Sequence, residues 1–306
     1  MQQPSLYLDE RYEIIKGTPL IFPRKGYEPN PHYITAKRKM WDQYVECART
    51  HGMFDADKEG QDLLARLRGI DDRNFDSAMA ECIACWYFTN RLGYKVVPKP
   101  KLSNGKIPEF LIRMDHFEAV VEVKTTLIEY PMRKWHTFGA ARDYRSDIDE
   151  ASKKLAKGAV NIVVLMPVEA HTDGSALYHL GRFLLDSDRP EFEKVLYGSQ
   201  TAMLQINPET EEEESSTRRR EDGFFRNRKN GQPSGTRVSV VLLLEEGTRL
   251  SNQGDCQEVE ICHNAVAMHN PNAGVRVEIE RFCNIPQYVF ENGELSRINP
   301  KSAIEA

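Results

Sequence analysis

Residues 107–126 read IPEFLIRMDHFEAVVEVKTT. Two strand-like runs, 108–114 and 117–125, are separated by Asp115 and His116, which read as a tight turn between antiparallel partners. Glu109, Glu122 and Lys124 stand inside these apolar runs, where an isolated charge is costly unless a partner or a metal compensates it. Side chains alternate along a strand, so Glu118, Val120, Glu122 and Lys124 share one face of the second run, and Phe117, Ala119, Val121 and Val123 share the other. Pairing through the turn brings Glu109 beside Glu122 and Lys124, and three charges converge at one end of a sheet.

Working outward, 94–97 is a further strand-like run, and the short connections predict an antiparallel meander of three strands. Before it, 74–92 predicts a helix capped by Asn74 or Asp76 and stopped by Gly93. After it, a polar helix over 142–157, closed by Gly158, leads to AVNIVVLMPV (159–168), which has the composition of a strand buried on both faces. The order is helix, three strands, helix, strand.

The flanks differ in character. Residues 1–70 open on prolines and continue into two helices, 35–51 and 57–67, and form an N-terminal helical region. Residues 71–185 are the core. Within a variable segment, 186–236, the run PETEEEESSTRRREDGFFRNRKNGQPSG (208–235) carries blocks of opposite charge and reads as a flexible insertion. Residues 237–306 return to order with TRVSVVLLLEE (236–246) and then shorter strands alternating with Asn, Pro and Gly turns, packed on the core. His263-Asn264 and His269-Asn270-Pro271 read as such turns.

Two carboxylates, Glu109 and Glu122, with the carbonyl of Val123 make a hard oxygen site suited to Mg²⁺ or Mn²⁺. Lys124 beside that ion is placed to hold or help deprotonate a water and to stabilise charge on a phosphate. The combination outlines a site for phosphodiester hydrolysis. Net charge over the 306 residues is −5, so a nucleic-acid partner needs local basic patches. Two exist: Arg91, Lys95, Lys99, Lys101 and Lys106 with no acid among them, and Arg133, Lys134, Arg142 and Arg145 against Asp143 alone. Of these, Lys99, Lys101, Lys106, Arg133, Arg142 and Arg145 are the candidate phosphate contacts.

Pro108-Glu109, Glu122-Val123-Lys124 and Glu81 in the preceding helix, set within this α-β-β-β-α-β order, resemble the PD-(D/E)XK or restriction endonuclease-like nucleases over roughly residues 74–168. The resemblance implies an α/β fold with a mixed central sheet flanked by helices, here extended by an N-terminal helical region and additional C-terminal strands. It implies that Glu81, Glu109 and Glu122 bind the divalent metal and that Lys124 orients or activates the attacking water. It further implies DNA ahead of RNA as substrate, a 5′-phosphate product, roles in defence or repair, and cutting by a homodimer. Glu109 stands where the family usually has Asp, one methylene shorter. Two competing readings follow: a catalytically inactive nucleic-acid-binding protein of the same fold, and an RNA-directed or effector-triggered nuclease.

Other motifs read as structural. Cys82-Ile83-Ala84-Cys85 has no second pair at ligand spacing and falls in an apolar helix, so core packing is the expectation. The six cysteines suit free thiols better than a disulfide framework. His136, His171, His179, His263 and His269 form no metal motif and are expected on the surface or in loops. No leader and no apolar run of membrane length is seen, and the expectation is a cytoplasmic protein.

Overall fold

The computed structural model describes residues 31–55, 58–69, 72–128, 136–138, 144–169, 196–197, 199–206, 213–220, 223–225, 233, 235–253, 256–291 and 294–300. Three helices come first: α1 (Pro31–Thr50), α2 (Lys58–Arg68) and α3 (Asp72–Asn90). α3 is buried without interruption over 78–88 because it is apolar on nearly every side. Gly93 ends it, taking φ +76° while the Leu92 N–H reaches back to the Tyr87 carbonyl.

The expected meander follows as β1 (Lys95–Pro98), β2 (Phe110–Met114) and β3 (Phe117–Ile128), each pair antiparallel. Asp115 makes the β2–β3 turn at φ +51°, a conformation that Asp tolerates better than most residues. A short β4 (His136–Phe138) precedes α4 (Tyr144–Lys154) and β5 (Asn161–Glu169), which lies parallel to β3. Then come β6 (Ser199–Ile206), β7 (Glu213–Arg220), β8 (Val240–Gln253), β9 (Cys256–His269), β10 (Gln287–Glu291) and β11 (Glu294–Ile298). The protein is α/β, with an eight-stranded mixed sheet ordered β1-β2-β3-β5-β8-β9-β10-β11 and a second sheet ordered β4-β6-β7.

Alternation along β3 divides the core as the sequence predicts. Ala119, Val121 and Val123 join Ile162, Val164, Leu242 and Leu244 beneath α1, α2 and α3. Val120 joins Val163, Leu165, Val241 and Leu243 beneath α4, where Ile148, Ala151 and, just past the helix end, Leu155 are fully buried. The C-terminal strands continue the main sheet through the parallel pairing of β5 with β8.

Three expectations need correction. The charged run 208–235 is not uniformly flexible. Its Glu213–Arg220 segment pairs antiparallel with all of β6, since main-chain pairing does not require an apolar face. Phe224 and Phe225 are buried with Leu196 and Tyr197, and the Phe225 N–H donates to the Leu196 carbonyl at 2.7 Å. Two adjacent aromatics inside a polar stretch anchor it. Second, 259–269, read as shorter strands broken at His263-Asn264, lies within one 14-residue strand, β9, against β8, while the expected turn at His269-Asn270-Pro271 is present. His263 and Asn264 therefore lie mid-strand, not in a turn. Third, His263 and His269 are not surface histidines. His263 is packed among Tyr44, Trp86 and Tyr87, and His269 is buried with Nε2 2.8 Å from Gln287 Oε1. His171 and His179 fall outside the described residues.

Candidate functional site

Register places the acids. The last β2–β3 pair is Phe110 with Val121, so Glu109 and Glu122 take the next opposed positions as the chain enters β2. β3 runs on past that point and, from Glu122 to Ile128, is paired with β5. Val123 is buried in this stretch, in register with Val164. On the other side, the Lys99 N–H donates to the Glu109 carbonyl at 2.9 Å, which continues the β1–β2 ladder by one residue. Lys99 holds φ +43°, an uncommon conformation for a side chain of this kind. α3 brings Glu81 to the same sheet end.

Glu81, Glu109 and Glu122 are all buried, Glu122 completely. Three cations join them into one alternating row. Arg66 Nη2, from α2, donates to Glu81 Oε1 at 2.8 Å. Lys99 Nζ donates to Glu81 Oε2 at 3.0 Å and also to Glu109 Oε2. Lys154 Nζ, from α4, lies 3.3 Å from Glu109 Oε1 and 2.6 Å from Glu122 Oε1. The charge that the sequence reserved for a metal is thus balanced by side chains, three acids against three bases.

Their protonation follows from position in the row. Burial, then the neighbouring charge of Glu109, raises Glu81 to about 7, and the same two causes in the same order raise Glu122 to about 7. Burial also pushes Glu109 upward, but Lys99, a hydrogen bond with Glu81 and Lys154 outweigh it and pull Glu109 down to about 2. Lys99 is opposed by burial yet raised by its two carboxylates. Near neutrality Glu109 is the firmly ionised member, and the three acids titrate as a coupled set.

The candidate residues separate in space. Lys124 shares the β3 face of Glu122, but its Nζ donates to Glu150 Oε1 of α4 at 2.7 Å, which places it one step from the row. Lys99, expected among the surface cations, is instead inside the row with its side chain 11% exposed. Lys101 and Lys106 are exposed on the β1–β2 loop, whose two ends are Lys99 and Glu109. Arg145 is the second residue of α4, and Arg133 and Arg142 lie outside the described residues. Sequence reasoning missed Lys154 and Arg66. The signal for Lys154 was its spacing from Glu150, one turn on, at the edge of the buried Ile148-Ala151-Leu155 stripe; Arg66 offered none, since only tertiary packing brings α2 to α3.

The donors are of the kind a hard divalent cation takes, but with lysines between them Glu81, Glu109 and Glu122 do not bring one oxygen each within 4.8 Å of one another. Glu122 Oε2 is buried and has no hydrogen-bond partner among the described residues, and all the available side-chain acceptors are carboxylate oxygens. No protein-family model matches the sequence, no curated protein is significantly similar to it, and no solved structure matches its fold.

Proposed function

We propose that this chain is a metal-dependent nuclease, with DNA ahead of RNA as substrate, whose core is of the restriction endonuclease-like kind. The observation that carries the reading is the meeting of Glu81, Glu109 and Glu122, from a helix and two paired strands, at one sheet end rich in lysine. Glu81, Glu109, Glu122 and the carbonyl of Val123 would hold Mg²⁺ or Mn²⁺. When bound, such an ion supplies Lewis acidity toward a phosphoryl oxygen and a more acidic water. Lys99 and Lys154 keep the carboxylates gathered and offset their charge, which lowers the repulsion a scissile phosphate would meet. Lys124, held by Glu150 on the same strand face as Glu122, is within reach of the site as the residue that orients water. Exposed Lys101 and Lys106 on the loop springing from the site offer contacts to backbone phosphates.

A second reading, nucleic-acid binding without cleavage, is favoured by the pairing of each acid with at least one of Arg66, Lys99 and Lys154 and by Glu109 in place of Asp. Purified protein incubated with plasmid, linear and single-stranded DNA and with RNA, in Mg²⁺, Mn²⁺ or EDTA, separates the two. Metal-dependent cutting that disappears in Lys124→Ala and Glu122→Gln supports the nuclease. Metal-independent binding with no cutting of any substrate discards it in favour of the second reading.

A further inference from the structure

Of the two cysteines in the α3 motif, Cys82 packs in the main core as expected. Cys85 has a second relationship. Where α1 crosses α3, one ligand atom each from Cys47, His51 and Cys85 all lie within 4.8 Å of one another. Cys47 and His51 are four residues apart, about one helical turn, so the end of α1 presents both on one side. His51 Nδ1 is 3.7 Å from Cys47 Sγ. Tetrahedral zinc with Zn–S near ~2.3 Å and Zn–N near ~2.0 Å sets sulfur and nitrogen about 3.5 Å apart, so these side chains stand close to ligand spacing already.

The surroundings add a polar contact and an approach. Asn90 Nδ2 donates toward Cys47 Sγ at 3.6 Å. Cys47 and His51 are partly exposed while Cys85 is buried, which leaves an approach from the α1 side.

We propose that Cys47, His51 and Cys85 bind a thiophilic divalent cation of the zinc class, held by three protein ligands with a fourth position open to water. His51 Nδ1 also lies 2.9 Å from the Cys47 carbonyl oxygen, and binding of the ion replaces that hydrogen bond. Two thiolates and an imidazole select a soft or borderline metal, whereas the carboxylate row selects a hard one, so the two sites do not compete for the same ion. The bound ion ties α1 to α3. Glu81 lies four residues before Cys85 on α3, so the same tie steadies the helix that delivers Glu81 to the acid row.

The test is a titration of the full chain, reduced and stripped of metal, with Co²⁺ in the absence of oxygen. The expected result is thiolate-to-cobalt charge-transfer absorption with intense tetrahedral d–d bands, saturating at about one equivalent and bleached by added Zn²⁺. The bands should be lost in Cys47→Ser and Cys85→Ser and kept in Cys283→Ser. They should also be kept in Glu122→Gln, so the outcome stands apart from whether the chain cuts nucleic acid. Because Cys85 is buried, partly exposed Cys47 is the deciding variant, with circular dichroism to show that its helices are intact. No charge-transfer band in the wild type, or an equal band in folded Cys47→Ser, overturns the site.

Discussion

At the scale of single residues, the alternating row from Arg66 to Glu122 makes each member dependent on its neighbours. Breaking a buried pair by removing one partner strands the other charge, at a cost of about 3–5 kcal/mol. Lys154→Ala should be destabilised by less than that, about 1–3 kcal/mol, because completely buried Glu122 loses its cation while the Lys154 side chain is itself 39% exposed. If the carboxylates hold a divalent ion, saturating Mg²⁺ or Mn²⁺ should raise the melting temperature of Lys154→Ala more than that of the wild type. Equal shifts in the two proteins would argue against a cation at these acids. The row also sets a pH dependence. Glu81 and Glu122, raised from 4.5 to about 7, hold protons in the folded state that the unfolded chain has released, so their contribution falls as pH rises from about 4.5 to about 7. Glu109 acts in the opposite sense, and its contribution is lost as pH falls from about 4.5 toward about 2. In EDTA, the doubly substituted Glu81→Gln, Glu122→Gln protein should show a flatter loss of urea stability from pH 4.5 to 7 than the wild type. Identical slopes would show that these acids are not perturbed by burial.

Between the residue and the sheet stand a few connections that aim the site. Asn161 opens β5 just after the loop that follows α4. Its Nδ2 donates to the carbonyls of Ala156 and Arg237 at 2.7 Å and of Ala159 at 3.0 Å, while its N–H donates to Ser239 Oγ at 3.0 Å. This residue binds the end of α4, which carries Lys154, to the entry of β8. Asn161→Ala leaves partly buried carbonyls without this donor and should cost roughly 1–2 kcal/mol in denaturant unfolding. On the other face, Phe88 of α3 meets Phe110 at the start of β2, with ring centroids 5.9 Å apart and edge-to-face. Phe88→Ala opens a cavity beside the strand that carries Glu109 and should cost about 3–5 kcal/mol. A much smaller loss would mean that α3 and β2 are not locked together there.

For the molecule as a whole, the N-terminal helices are part of the body. Tyr44 of α1 is fully buried, with its hydroxyl 2.7 Å from Glu246 Oε2 and 2.6 Å from His263 Nε2, and Lys37 ion-pairs with Glu246. Burial, with Lys37 and Arg91 nearby, holds His263 down at about 3, so it is neutral in this setting. α2 contributes Arg66 to the acid row. A fragment comprising 71–306 would expose the face covered by Tyr44, Val45, Ala48, Leu63 and Leu67 and leave Glu81 short of a partner. It should fail to unfold cooperatively; a soluble fragment with the wild-type melting profile would show that the helical region is a separable module. Among the described residues no helix is long and apolar enough to cross a membrane.

Much of this architecture was written in local pattern. The period-two alternation of FEAVVEVKT assigned the faces of β3, Asp115-His116 set the hairpin, and the hairpin register alone put Glu109 opposite Glu122. Local pattern could do this because turn geometry and side-chain alternation act over a few residues. What neutralises the acids was decided by packing: Arg66, Lys99 and Lys154 come from three separate segments, and each ion pair forms only when those segments meet. The same holds for Cys47 with Cys85 across two helices, for Phe225 drawn out of a charged run into the core, and for Lys124 turned toward Glu150. Burial and electrostatic compensation are properties of neighbours in space, and distance along the chain does not encode them.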